Sequence, residues 1–190
     1  MEKKTLGYAM TGSFCTFEKS ITEMARLKSM GYSLLPIMSD NAYSTSARFG
    51  KARDIVDRVE NICEKSVIHT IPGAEPIGPK SMCDLLLVAP CTGNTLSKIA
   101  LGITDTPVTM AVKSQLRIGA PVLLAVASND ALGASGENIA KLMNRKNIYF
   151  IPMKQDDPVG KPNSLVADFR LIPDSIEKAL RHEQPQPVYQ

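Results

Sequence analysis

Tryptophan is absent from this sequence, and phenylalanine and tyrosine number only five each. That leaves an aromatic stacking platform for single-stranded nucleic acid unsupported. A dominant charge is missing too: 22 Lys and Arg against 19 Asp and Glu leave +3, and the basic residues are scattered. Neither nucleic acid nor an anionic membrane surface is expected as a partner. No apolar stretch approaches the ~20 residues of a bilayer span. The charged start, Met1 to Thr5, enters a strand-like run of about six residues, too short for a signal-peptide core. A cytoplasmic chain is expected. The four cysteines, Cys15, Cys63, Cys83 and Cys91, form no C-x-x-C pair and have no histidine at zinc spacing. Neither a metal centre nor a disulfide framework is expected.

What is present is an alternation of apolar runs and helical patterns, in 190 residues of which 44% are hydrophobic. Thr5 to Met10 predicts a strand. Phe17 to Met30 predicts a helix, with Ile21, Met24, Ala25 and Leu27 at helical spacing and Gly31 as its C-terminal cap. Tyr32 to Met38 predicts a second strand, interrupted by Pro36, which is tolerable near a strand end and awkward in its centre. An amphipathic helix over Ser46 to Cys63 and a short strand over Val67 to Ile71 follow. Pro72 to Lys80, with three prolines and two glycines, reads as irregular. Asp84 to Ala89 is the expected central strand, broken at Pro90. Beyond it come helices over Leu96 to Leu101 and Val108 to Leu116, a strand over Pro121 to Ala127 and a loop over Ser128 to Gly136. A helix over Glu137 to Asn147, a last strand over Ile148 to Ile151, a polar segment from Pro152 to Pro162 and a helix over Leu165 to His182 complete the series.

Near-continuous apolar strands alternating with helices argue for a parallel sheet covered on both faces. The expected fold is α/β, a single doubly wound parallel sheet in a Rossmann-like or flavodoxin-like three-layer sandwich. One domain is expected over residues 1–182. The tail, residues 183–190, is expected to be disordered or an arm on a partner.

Three polar turns follow strands. Gly7 and Gly12 have the glycine spacing of a P-loop, but Ser13 and Phe14 stand where Lys and Ser/Thr are needed. Nucleotide hydrolysis is therefore disfavoured. Gly12-Ser13 fits either a single-phosphate site at a helix start or an ordinary tight turn. Ser39-Asp40-Asn41 fits either a second hydroxyl on that phosphate or a helix cap. The third turn, Cys91-Thr92-Gly93-Asn94-Thr95, lies at the carboxyl end of the central strand, where open α/β sheets bind ligands. Its hydroxyls and amide, with Asp105 after the next helix, suit a neutral, flat, hydrogen-bonding ligand better than a metal. Thr92 or Asn94 fits a helix N-cap equally well.

The run Ala89-Pro90-Cys91-Thr92-Gly93-Asn94-Thr95-Leu96-Ser97-Lys98-Ile99-Ala100, with Gly102 and Asp105, resembles the A-P-x-S-A-N-T-x-x-K-x-A-x-G-x-x-D signature. That signature marks the homo-oligomeric flavin-containing cysteine decarboxylase family of FMN proteins, and the similarity runs from Leu6 to about Ala167. The resemblance implies FMN as cofactor, its phosphate held by Gly12, Ser13, Phe14 and Ser39. It implies Pro90, Cys91, Thr92, Asn94, Thr95 and Asp105 at the ring system, and Ser128 and Asn129 orienting flavin or substrate. Two features depart from the family pattern. No histidine lies between Glu75 and Asp84, leaving only His69 nearby, and Ala127-Ser128-Asn129-Asp130 replaces a P-x-M-N clamp. Both argue against cysteine decarboxylation and leave the flavin site intact.

Gly12-Ser13-Phe14-Cys15, Glu75 to Pro79 and Ile151 to Pro158 resemble a branch that aromatises a dihydropyridine-type ring to a pyridine dicarboxylate. This implies an oxidoreductase with a small dicarboxylate substrate and a dehydrogenase-like partner chain, in the mother cell of a sporulating bacterium. It also implies a homo-oligomer (trimer or dodecamer). A decarboxylase or prenyltransferase of the same fold, and a non-catalytic stabilising subunit, remain as alternatives. No catalytic acid or base is assigned. Lys154 to Ser164 matches the family's flap, where Lys154, Lys161 and Asn163 fit either a dicarboxylate or a solvated loop. Arg48, Lys51, Arg53 and Arg58 fit a solvated face or an oligomer contact.

Overall fold

The computed structural model describes residues 4–48 and 50–190. The charged start at Met1 to Lys3, and Phe49 within the expected Ser46 to Cys63 helix, lie outside the described residues. Five strands run parallel: β1 (Thr5–Met10), β2 (Ser33–Met38), β3 (Leu85–Cys91), β4 (Val122–Ser128) and β5 (Ile148–Phe150). Their order is β2-β1-β3-β4-β5, the flavodoxin-like arrangement, in which the winding reverses between β1 and β3.

The sheet is buried on both faces, which is why its strands read as unbroken apolar runs. Leu6, Tyr8, Met10, Leu85, Leu87 and Ala89 pack on one face against α1 (Phe17–Ser29), α3 (Ala52–Cys63) and α8 (Ile172–Leu180). Ala9, Leu86, Val88, Leu124 and Val126 pack on the other, against α5 (Gly93–Leu101), α6 (Pro107–Arg117) and α7 (Gly136–Met143). Each fully buried Leu or Val stabilises the fold by about 1.5–3 kcal/mol relative to exposure. Buried polar groups are matched: the Tyr8 hydroxyl donates to the Ser20 carbonyl at 2.9 Å, and the Ser20 hydroxyl donates to the Ala89 carbonyl at 2.6 Å. This ties β1, α1 and β3 together.

Pro36 sits in β2, the edge strand. The Met38 N–H points outward to the Ile68 carbonyl at 3.0 Å, so by the two-residue period the nitrogen of Pro36 also faces outward, and no bond to β1 is lost. The strand expected at Val67 to Ile71 is only a one-residue bridge, Ile37 to Ile68. Pro72 to Lys80 is more regular than expected. Thr70 caps α4 (Ile71–Ala74), and a 3-10 turn covers Glu75–Ile77, with prolines in the first turn of each, where a missing N–H costs nothing. The expected helix from Ser46 starts later, at Ala52, and Ser39 instead opens a separate short helix, α2 (Asp40–Ser44).

Pro90 does not end the central strand. β3 continues through a cis Ala89–Pro90 peptide to Cys91, and its register shifts: Val88 pairs with Leu124, but Cys91 with Val126. The extra residue turns Cys91 onto the same face as Val88, among the α5–α7 contacts.

After β5 the chain differs most from expectation. Instead of a loop and one long helix, β6 (Met153–Lys154) and β7 (Leu165–Ala167) form an antiparallel pair, and β7 pairs with the end of β4. The tail is not disordered. The Gln184 side chain exchanges two hydrogen bonds with the Phe150 backbone, at 2.9 and 2.7 Å, and Met153 bonds to Val188 and Gln190. A sheet edge carries unpaired N–H and C=O groups, and the tail pairs with them.

Candidate functional site

The loops after β1, β2, β3 and β4 surround one cleft in two parts, joined at Gly12, Thr92 and Asn94. The first part, of about 410 Å³, adds Ser39, Asp40, Asn41, Thr95, Lys98, Asp105 and Thr106. The second, of about 610 Å³, adds Ser13, Cys15, Gly93, Ser97, Ala127 to Asp130 and Ser135. Both sizes suit a small-molecule site.

Thr11 sets the frame. Its buried hydroxyl donates to the Pro90 carbonyl at 2.8 Å and accepts from the Thr92 N–H at 3.0 Å, fixing the end of β1 to the turn after β3. Thr92 is the N-cap of α5: its hydroxyl accepts from the Thr95 N–H at 3.2 Å and donates to the Thr95 hydroxyl at 3.1 Å. The N–H groups of Gly93 and Asn94, in the first turn, then have no partner within the helix. Ser39 caps α2 in the same way, its hydroxyl accepting from the Ala42 N–H at 3.3 Å, while its own N–H reaches the Met10 carbonyl at 3.0 Å. Two helix starts therefore meet at the point where the winding reverses, and their dipoles favour an anion.

On the β4 side, Asp130 accepts from the Ser128 and Ser135 hydroxyls, at 2.5 and 2.9 Å. Those two bonds, that of Ser128 foremost, hold its carboxyl below the ordinary aspartate range. Gly93 lets this loop close on α5, for a Cβ there would lie 2.5 Å from the Ser128 hydroxyl and 2.9 Å from that of Ser135. Lys98 is held by both Asp105 oxygens, each at 2.9 Å.

Of the residues expected at the site, Gly12, Ser13, Ser39, Thr92, Asn94, Thr95, Asp105, Ser128 and Asn129 line this cleft. Three do not. Phe14 packs beside Phe17, ring centres 5.1 Å apart, in the α1 layer. Pro90 is buried and offers its carbonyl to Thr11. Cys91, expected at the flavin, is fully buried under α5 because of the register shift, and burial pushes its thiol up to about 12. Burial likewise pushes Cys63 and Cys83 up to about 12, and only Cys15 is exposed. His69 lines neither part. It stacks on Tyr43, ring centres 3.9 Å apart.

Sequence reasoning missed Thr11, Asn41, Ser97, Lys98, Thr106, Asp130 and Ser135. Lys98 stands four residues after Asn94 on one helix face, a readable signal. Asp130 and Ser135 meet only through the turn between them. Among the described residues no group of three His, Cys, Asp or Glu is placed to hold a metal, and no helix is long and apolar enough to cross a membrane.

The donor set fits a flavin mononucleotide in kind. The Ser13 and Ser39 hydroxyls, the Gly12 N–H and the first-turn N–H groups of α2 suit a phosphate, for the N–H groups of Ser13 and Ser39 themselves are bonded to the Thr11 and Met10 carbonyls. The Asn94 amide with the Thr92 and Thr95 hydroxyls suits a flat ring of donors and acceptors. Asp40 lines the phosphate corner and opposes an anion there.

The chain is similar to known proteins over most of its length. The chain is 44% identical over 188 residues to the dipicolinate synthase B-subunit of Bacillus subtilis (strain 168), covering 99% of this chain and 94% of the relative. The crystal structure of the dipicolinate synthase B-subunit from Bacillus halodurans C matches with a TM-score of 0.90 at 43% identity, covering 98% of this chain and 96% of that one. A dodecameric FMN-dependent UbiX-like decarboxylase from Escherichia coli O157:H7 shares the fold, with a TM-score of 0.64 at 22% identity over 78% of this chain and 79% of that one. A family profile described as Flavoprotein matches residues 1–174, and the chain belongs to that family.

Proposed function

We propose that this chain binds FMN in the cleft and serves as the flavin-bearing B-subunit of a dipicolinate synthase, working beside its dehydrogenase-like A-subunit. The reaction is oxidation of a dihydrodipicolinate-type precursor to dipicolinate, an oxidoreductase step on the CH–CH bond of the ring. One observation carries the reading: a cleft rich in hydroxyl and amide groups at the winding reversal, in a chain similar to a dipicolinate synthase B-subunit over 99% of its length. When bound, FMN supplies a two-electron acceptor for the substrate hydride.

In this reading the Ser13 and Ser39 hydroxyls, the Gly12 N–H and the first-turn N–H groups of α2 hold the phosphate. Thr92, Asn94, Thr95 and Asp105 hold the ring system, and Ser128 and Asn129 form the substrate-side rim. The place of His69, stacked on Tyr43 away from the cleft, counts against a decarboxylase with histidine as its acid. A homo-oligomer, a trimer or a dodecamer as in the Escherichia coli relative, and the cytoplasm of a sporulating mother cell belong to the same proposal.

Purification of the chain alone, with an absorbance scan and FMN titration, tests it. A yellow protein, or tight binding that Asn94→Ala weakens about tenfold through loss of its amide contacts, is the expected result. A colourless protein that takes up no FMN sinks the flavin reading. Anaerobic addition of the dihydro precursor together with the dehydrogenase-like partner should then bleach the flavin; a flavin that stays oxidised reduces the chain to a stabilising role.

A further inference from the structure

The strands behind the β4-side rim of the cleft are too short to hold themselves. β6 and β7 have two and three residues, and β7 meets β4 at only two positions, Val166 with Ala127 and Leu165 with Ser128. An isolated two-stranded pair is marginal in water even when its strands are longer. The rim nevertheless rests on this pair. Ser128 lines the cleft and donates to Asp130, and the Leu132 N–H in the same loop donates to the Asn163 carbonyl at 3.0 Å.

The tail holds the pair from its far side. Successive residues of a strand bond to opposite neighbours, and β6 does so. Lys154 pairs with Val166 of β7. Met153 turns its polar groups the other way: its N–H donates to the Val188 carbonyl at 2.9 Å, and its carbonyl accepts from the Gln190 N–H at 3.0 Å. The end of the tail is thus one more strand on β6. Nearer α8, the Gln184 side chain stands in for a peptide group, accepting from the Phe150 N–H at 2.9 Å and donating to the Phe150 carbonyl at 2.7 Å. Between these points Pro185 is buried, and Val188 packs on the core that contains Phe150, Met153 and Leu165. The hydrogen-bonded connection is continuous: tail to β6, β6 to β7, β7 to Ser128. The grip itself is shallow, for Gln186, Pro187, Tyr189 and Gln190 are exposed. A segment with few buried contacts opens at low cost.

We propose that the tail, residues 183–190, is a latch on the cleft. Seated on β5 and β6, it keeps the β6–β7 pair on β4 and orders the turn over residues 128–135. Released, it loosens that rim and leaves the β1–β2 corner as it was. A ligand that needs the ordered rim must in return tighten the tail, by the same factor. Only the ligand arm of the test rests on the flavin reading above.

Amide hydrogen exchange on the full-length chain, resolved by segment, is the test. Gln184→Ala removes both bonds to Phe150. Exchange at Leu165–Ala167 and over residues 128–135 should rise about tenfold, the value of one or two hydrogen bonds, while β1, β2 and β3 stay as protected as in wild type. A chain ending at Pro187, which leaves Met153 unpaired, should open the same segments. With FMN loaded, pyridine-2,6-dicarboxylate should bind Gln184→Ala about tenfold more weakly, and FMN affinity should not change. Wild-type exchange over residues 128–135 in both variants overturns the inference and leaves the flavin reading standing. Faster exchange throughout the sheet overturns it as well, since that is general loss of stability, and so does a loosened rim that binds the diacid as wild type does. A wild-type protein that takes up no FMN overturns the flavin reading alone, and the exchange comparison still decides the latch.

Discussion

At the β1–β2 corner of the cleft the polar groups are helix starts: Ser39 and Thr92 are N-caps, and the groups offered to a ligand are backbone N–H and short hydroxyls. On the β4 side they are side chains on turns: Ser128, Asn129, Asp130 and Ser135, with the end of the β6–β7 connection bonded to the same loop at Leu132. The first corner is a by-product of the doubly wound fold, since each strand must hand over to a helix there. The second depends on turns that the sheet does not dictate. In the proposed function the cofactor's phosphate is assigned to the first and the substrate-side rim to the second.

The largest effect should come from the residue that joins the two. In Gly93→Ala a methyl would sit 2.5 Å from the Ser128 hydroxyl, and both hydroxyls around it are tied to Asp130. Overpacking of this kind costs about 1–3 kcal/mol. Thermal unfolding should register that loss, and FMN titration should show weakened binding as the halves are forced apart. A variant with unchanged melting and affinity would mean that the β4 turn yields freely and the two parts are independent.

Ser39→Ala comes next and acts on the first corner alone. Loss of the α2 cap should cost about 1 kcal/mol by denaturant unfolding. FMN affinity should fall as well, because the same hydroxyl is the proposed phosphate donor.

The smallest effect concerns Asp130. Its folded carboxyl titrates lower than the unfolded one, so its contribution is present above the ordinary aspartate pKa and is lost as pH falls through the lower folded value. Removing the donors with Ser128→Ala and Ser135→Ala should raise that titration point, readable by carbon NMR of the carboxyl. The stability change should be slight because the group is exposed. A titration point that stays put would show that the two hydroxyls do not hold it.

Much of the sheet was readable because its strands are buried on both faces. TLGYAM and VLLAVAS carry no alternation to confuse with helix, and glycines at 31 and 102 end helices in the left-handed conformation, where lacking a Cβ removes the strain. The site was readable where a strand hands over to a helix, as at Gly12, Ser39 and Thr92. Regions closed by long-range pairing were not. The β6–β7 pair has strands of two and three residues, too short for a period to register, and a tail with two prolines near its end looks like loop until the edge it covers is known. Cys91 was misplaced for a different reason: its face depends on one extra residue in β3 relative to β4, and a register is a property of two strands.

By itself, then, the sequence determined a doubly wound α/β chain with polar turns after its first three strands, since apolar runs, caps and turn residues act over a few neighbours. The tertiary structure alone decided which of those turns share one cleft and that Thr11 binds them together. It also decided that Cys91 faces the core. Those outcomes rest on contacts between residues far apart in the chain, where register, edge pairing and close approach set which atoms meet.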